Sequence, residues 1–122
     1  MTANILTVDD SASIRMTTKI ALTNAGYQVT GAVDGVDGLA KAKSGSFDLI
    51  VTDLNMPNMN GLEMIEALRQ SPAHTGVPII FLTTESDADM KARAKAAGAT
   101  GWVTKPFDPE HLVKIARKVL GR

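Results

Sequence analysis

The sequence predicts an α/β domain: a five-stranded parallel sheet, doubly wound, with a helix after each strand in a (βα)5 series. Three observations lead there. Five short runs rich in apolar and β-branched residues alternate with five stretches whose apolar residues recur at helical spacing. The central run, Leu49, Ile50 and Val51, is apolar at successive positions, as a strand buried on both faces requires. No repeat, linker or low-complexity segment interrupts the series.

Ile5, Leu6, Thr7 and Val8 form the first strand, closed by the paired acids Asp9 and Asp10. Ile14, Thr18, Ala21, Leu22 and Ala25 follow at helical spacing, and Gly26 stops that helix. Residues 27–32 make the second strand. Asp34 with Asp37 three positions later resembles a helix-opening box, and Val36, Leu39 and Ala40 supply the second helix with its buried stripe. The third strand ends in Thr52 and Asp53. Asn60 and Glu63 form another opening box, with Met64, Ile65 and Leu68 as the inner face of the third helix, and Pro72 and Gly76 break the pattern. Residues 77–83 read as a fourth buried strand with Pro78 confined to its start. Ser86 and Asp89 open a fourth helix whose inner face, Met90, Ala94 and Ala97, buries so little area that it is the least firmly anchored. Gly98 and Gly101 bracket the turn into Trp102, Val103 and Thr104, a fifth strand ending at Lys105 and Pro106. Asp108 as N-cap and Pro109 at the first helical position start the last helix, striped by Leu112, Ile115, Ala116, Val119 and Leu120.

At 122 residues the chain is expected to be one domain over residues 1–122, with no room for an output domain. Acids and bases balance at 13 each, which argues against a nucleic-acid footprint or an electrostatic membrane anchor. With no cysteine there is neither a disulfide framework nor a thiolate metal site. No apolar run approaches the ~20 residues of a membrane span, and no secretory signal opens the chain. A cytoplasmic monomer is expected.

Residues 47–61, FDLIVTDLNMPNMNG, organise the rest. The apolar run leaves the core at Asp53, and the following Asn55, Met56, Pro57, Asn58, Met59, Asn60 and Gly61 are loop chemistry, since proline fixes its dihedral and asparagine and glycine tolerate positive φ. Asp53 is therefore expected to be held from below and exposed from above. With parallel strands, Asp9, Asp10, Asp53, Thr83 and Lys105 all emerge at one edge, where ligands of open α/β sheets bind. Three clustered carboxylates resist ionising together unless a hard cation neutralises them, and magnesium, with its preference for carboxylate and phosphate oxygens, fits best. A carboxylate can also act as nucleophile in phosphoryl transfer. The metal, Lys105 and the Thr83 hydroxyl would then each hold one equatorial oxygen.

Each residue alone has a plainer reading. Asp9 and Asp10 could cap the first helix, Asp53 could be a turn former, Thr83 a β-former and Lys105 an exposed strand end. Their joint placement at four strand ends is what those readings do not produce. Met56, Met59 and Met64 read as packing, and His74 and His111 as surface positions.

These motifs resemble the receiver domains of response regulators in two-component signalling, of the stand-alone, CheY-like and flavodoxin-like type, from Asn4 to Leu120. They are VDD at 8–10, DLNMPNMNG at 53–61, LTTE at 82–85 and KPF at 105–107. The resemblance implies that Asp53 is the phosphoacceptor. It also implies that Asp10, Asp53 and the Asn55 backbone carbonyl ligate magnesium (manganese could substitute), with Asp9 acting mainly through water. Lys105 would contact the phosphoryl group, the Lys105–Pro106 bond would be cis, Thr83 would be the switch hydroxyl, and Asn55 and Glu85 would flank the route of the hydrolytic water. A CheA-like sensor histidine kinase would dock near residues 11–15, and a protein target would bind the face made by the fourth helix, fifth strand and fifth helix.

Two positions depart from the family pattern. Trp102 stands where tyrosine or phenylalanine is usual, and Thr84 stands where the chemotaxis type carries alanine; the bulk of both predicts that Trp102 switches incompletely. Asp87 and Asp89 replace lysines used to bind the flagellar motor, which disfavours the motor as target. A chemotaxis regulator is the leading expectation and a phosphorelay intermediate its rival. A phosphohydrolase with an aspartate nucleophile is less favoured, because it needs a second acid two residues on, where this chain has Asn55. A flavin-binding protein is less favoured still, because Asp9 and Asp10 would repel its phosphate.

Overall fold

The computed structural model describes residues 2–54, 56, 58–70, 76–83, 88–105 and 107–121. Its strands are β1 (Asn4–Val8), β2 (Gln28–Ala32), β3 (Leu49–Asp53), β4 (Ile79–Thr83) and β5 (Gly101–Thr104). The helices between and after them are α1 (Ala12–Asn24), α2 (Gly35–Ser44), α3 (Gly61–Arg69), α4 (Ala88–Ala96) and α5 (Pro109–Leu120). All neighbouring strands pair in parallel, in the order β2-β1-β3-β4-β5. The expected fold class is therefore the observed one.

Successive strand residues point to opposite faces, and the core divides accordingly. Leu6, Val8, Ile50, Ile79 and Phe81 pack with Leu62, Met64, Ile65 and Leu68 of α3 and Ala94 of α4. Ile5, Leu49, Val51, Ile80, Leu82 and Val103 pack with Leu22 of α1 and Leu112 and Ala116 of α5. Helices α2, α3 and α4 thus cover one face, and α1 and α5 the other.

Local signals place the helix starts. Asn60 and Glu63 form the full reciprocal capping box of α3. Asp108 caps α5, whose first turn holds Pro109. Asp34 caps α2 by accepting from the Asp37 amide, but Asp37 does not return the favour to the Asp34 amide. Its carboxylate accepts instead from the amide of Val33, at 3.0 Å.

The stripe expected on α2 is misphased. Val36 is 52% exposed and Ala40 is exposed, whereas Gly35, Gly38 and Ala42 are buried and Leu39 is half-buried. The buried face is made of small residues that let α2 approach the sheet and α3 closely, and side-chain hydrophobicity gives no sign of it. Of the inner face expected for α4, Ala94 is buried and Ala97, just past the helix, is half-buried, while the Met90 side chain lies outside the described residues. A buried methyl group contributes only about 0.8 kcal/mol, so polar anchoring matters more here. Arg69, at the end of α3, provides it, donating from Nε to the Ala97 carbonyl at 3.1 Å and from Nη2 to the Val77 and Gly98 carbonyls at 2.8 and 3.1 Å. Burial lowers the pKa of this guanidinium, which still stays charged at any ordinary pH.

Candidate functional site

Parallel pairing brings the carboxyl ends of β1, β3, β4 and β5 to one edge, with Asp9, Asp53, Thr83 and Lys105 on it. Beyond β1 the chain crosses to β2 on one side, and beyond β2 it returns to β3 on the other, so Asp9 and Asp53 flank the point where strand order reverses. The ends are tied together by main-chain bonds. The Asp9 amide donates to Ala32, Leu54 to Leu82, and Lys105 to Thr83, the last at 2.7 Å.

The Lys105 ammonium reaches back across the end of β4. Its Nζ lies 3.1 Å from Asp9 Oδ2 and 3.2 Å from Asp53 Oδ2. Carboxylate oxygens of Asp9, Asp10 and Asp53 approach within 4.8 Å of one another. Asp9 and Asp53 are buried, at 3% and 7% exposure, while Asp10 is exposed. Asp53 is thus less open than its strand-end position implied, with the Lys105 ammonium 3.2 Å from its carboxylate.

Asp9 does not cap α1. Ser11 does, accepting from the Ile14 amide, while Asp9 Oδ1 accepts from the Ser11 amide at 2.9 Å and Oδ2 faces Lys105. Both oxygens of Asp9 are therefore engaged. Burial disfavours the charged form of Lys105, but its hydrogen bond to Asp9 and the charges of Asp53 and Asp9 outweigh that, so its pKa is raised.

Three carboxylates gather around the Lys105 ammonium and make the edge acidic and rich in oxygen donors. A divalent cation with a taste for oxygen ligands matches both that charge and that donor set. The residues present therefore fit magnesium.

The loop after β3 is shut at its base by the Gly61 amide donating to the Leu54 carbonyl, at 2.9 Å. A Cβ at Gly61 would collide with the Asp53 carbonyl oxygen, so glycine is required where α3 begins. Asn58 adopts φ 68°, the left-handed conformation its residue type tolerates. Thr83 is buried at the end of β4. Trp102 is half-buried against Phe81, ring centroids 5.9 Å apart, with Lys91 Nζ 5.6 Å from its ring. Its Nε1 is buried without a hydrogen-bond partner among the described residues. Asn55, Thr84, Glu85, Pro106, His74 and the Ser86 helix start lie outside the described residues; His111 is exposed, as expected.

An acidic edge at the switch point of a doubly wound sheet, spanned by a lysine from the last strand, defines a class of phosphate- and metal-handling α/β domains. The family model of the response regulator receiver domain matches residues 5–117, and the chain belongs to that family. It is 47% identical to the chemotaxis response regulator CheY4 of Vibrio cholerae, covering 98% of this chain and 100% of that one with a TM-score of 0.93. A response regulator protein from Burkholderia multivorans is also 47% identical, over 98% of this chain and 95% of that one, with a TM-score of 0.81. The response regulator ArlR of Staphylococcus aureus is 39% identical over 118 residues, which is 97% of this chain and 52% of ArlR. The chain thus spans about half the length of the curated relatives it matches. Receiver domains of two-component signalling are phosphoaccepting signalling proteins that bind magnesium at an acidic pocket and interact with a histidine kinase and downstream targets. Among the described residues no helix is long and apolar enough to cross a membrane.

Proposed function

We propose that this chain is a chemotaxis-type response regulator phosphorylated on Asp53, and that the bridge from Lys105 to both Asp9 and Asp53 is the observation that carries the reading. An Asp53 oxygen attacks the phosphorus of a phosphohistidine, the P–N bond breaks, and a C–O–P acyl phosphate forms. The departing imidazole is neutral, its other ring nitrogen carrying the proton. Water later cleaves the acyl phosphate, restoring the carboxylate and releasing inorganic phosphate.

Before transfer Lys105 neutralises the Asp53 carboxylate. Once that carboxylate is an acyl phosphate, its charge resides on the phosphoryl oxygens, and Lys105 follows it outward. Thr83, buried at the neighbouring strand end, supplies the hydroxyl that follows the phosphoryl group. Asp10, Asp53 and the Asn55 carbonyl would hold magnesium directly and Asp9 through water, a division supported by the engagement of both Asp9 oxygens. Bound there, the ion would supply charge neutralisation at the phosphoryl oxygens. Asn55 and Glu85 set the lifetime of the acyl phosphate.

Kinase docking on α1 is supported by Met16 and Ile20, one turn apart and 64% and 54% exposed. The target binds the face of α4, β5 and α5, where Trp102 packs under Lys91. Trp102, the only tryptophan, keeps its packing on phosphorylation, so its fluorescence changes little with a phosphoryl mimic; a large change in its burial contradicts this. Similarity to Vibrio cholerae CheY4 supports the chemotaxis assignment.

Intact-mass measurement after incubation with magnesium and acetyl phosphate tests the chemistry. The native chain gains one labile phosphoryl group and Asp53→Asn gains none; equal gain by both chains overturns the proposal.

A further inference from the structure

The start of α2 grips the loop that follows Asp53, and the grip uses four groups. Asn58 Nδ2 donates to Asp34 Oδ2 at 2.8 Å. The Gly35 amide donates to the Met59 carbonyl at 3.2 Å. A Cβ at Gly35 would collide with that carbonyl, so the two backbones meet only because the residue is glycine. Asn58 reaches Asp34 from the left-handed conformation at φ 68°.

Asp34 divides its work. Oδ1 accepts from the Asp37 amide at 2.8 Å and caps α2, leaving Oδ2 for Asn58. The bond to the Asp37 amide, followed by the bond to Asn58, holds its carboxyl below the ordinary aspartate range. Behind it Gly38 and Ala42 are buried against the sheet, so the holder is itself fixed.

The gripped loop is short and closed. It leaves Asp53, turns through Asn58 and Met59, and returns to Gly61, whose amide donates to Leu54. Its base is thus sealed by one main-chain bond beside Asp53, and its tip is held by two bonds to α2. A loop fixed at both places leaves Asp53 little freedom to shift when an ion or phosphoryl group arrives.

We propose that Asp34 and Asn58 are positioning residues that preset the acidic pocket for a divalent ion by clamping the loop after β3 onto α2. This rests on the receiver reading of the pocket, but the clamp concerns the chain before any phosphoryl transfer.

Three variants separate the clamp from its surroundings. Asn58→Gly tolerates the left-handed backbone and removes the amide donor, together with the restraint of a side chain. Asp34→Ser keeps an oxygen for the cap but lacks the second acceptor that Asn58 uses. Asp34→Asn combined with Asn58→Asp rebuilds the bond with its polarity reversed. Hydrogen exchange is read on each metal-free chain in chelator, and manganese affinity by the electron paramagnetic resonance of the free ion. In both single variants the Gly35 and Gly61 amides exchange about fivefold faster than native and manganese binds about fivefold more weakly, the size of one net hydrogen bond. Amides of β1 and β4 keep their native rates, and the double variant recovers both readings to within about twofold. Native exchange and native manganese affinity in Asn58→Gly overturn the proposal. So does uniform acceleration across the sheet, which would mark the pair as merely structural. Neither measurement involves acylation of Asp53, so a chain that binds manganese as described but accepts no phosphoryl group overturns the preceding reading and leaves this one standing.

Discussion

The ammonium of Lys105 lies 3.2 Å from the carboxylate of Asp53, although the strands that carry them are separated by β4. The lysine spans the strand end at Thr83 and reaches Asp9 as well. Two carboxylates from the ends of β1 and β3 thus share one ammonium from the far end of the sequence. Removing the ammonium takes a counter-charge away from two buried carboxylates. Lys105→Ala is expected to destabilise the metal-free protein by about 2 kcal/mol. Urea unfolding in chelator measures the loss, and added magnesium should recover part of it.

The raised pKa of Lys105 gives that contribution a definite pH dependence. The folded value lies above the unfolded one, so the stabilisation is fully present below about pH 10.4 and is lost as pH rises through the folded value. The difference in urea midpoint between the native chain and Lys105→Ala should be constant from neutral pH to about pH 10 and shrink above it.

Gly61→Ala would force a methyl group into the Asp53 carbonyl oxygen, with the buried Phe81 ring 3.2 Å away as its other neighbour. A loss of about 2 kcal/mol is expected in urea unfolding. Gly76→Ala is the control, because a Cβ there meets nothing within 4 Å, and it should stay within about 0.5 kcal/mol of native.

Much of this site was legible in the sequence because it depends on strand ends. A run such as Leu49, Ile50 and Val51 marks a strand buried on both faces, and parallel order then carries Asp53, Asp9, Thr83 and Lys105 to one edge without further information. The capping box of Asn60 and Glu63 was equally readable, since its partners are three residues apart. What escaped depends on close approach and long reach. Glycines 35 and 38 form the buried face of α2 because of what they lack, which a search for apolar side chains passes over. Asp34 with Asn58, and Arg69 with the end of α4, pair side chains with groups 24 and 28 or more residues away, and no local pattern encodes such distances. Exposure of Asp53 is the expectation because its strand ends there; Lys105, 3.2 Å from its carboxylate, is a tertiary neighbour that no local pattern reveals.

Arg69→Ala tests the anchoring of α4. The guanidinium bonds to the carbonyls of Ala97 and Gly98 tie the end of α4 to α3. The expected loss is about 2 kcal/mol. Hydrogen exchange should accelerate most at the amides of Ala97, Gly98 and Ala99, whose acceptors lie in α4, and least in β1 and β3.

The most direct measurement is to locate the acyl phosphate itself. The chain is loaded with acetyl phosphate and magnesium, reduced with borohydride, which converts an aspartyl phosphate to homoserine, and digested for peptide mass mapping. Homoserine at position 53 alone is the predicted result. Homoserine at Asp9 or Asp10, or none anywhere while phosphate is retained, would contradict Asp53 as the residue that takes the phosphoryl group.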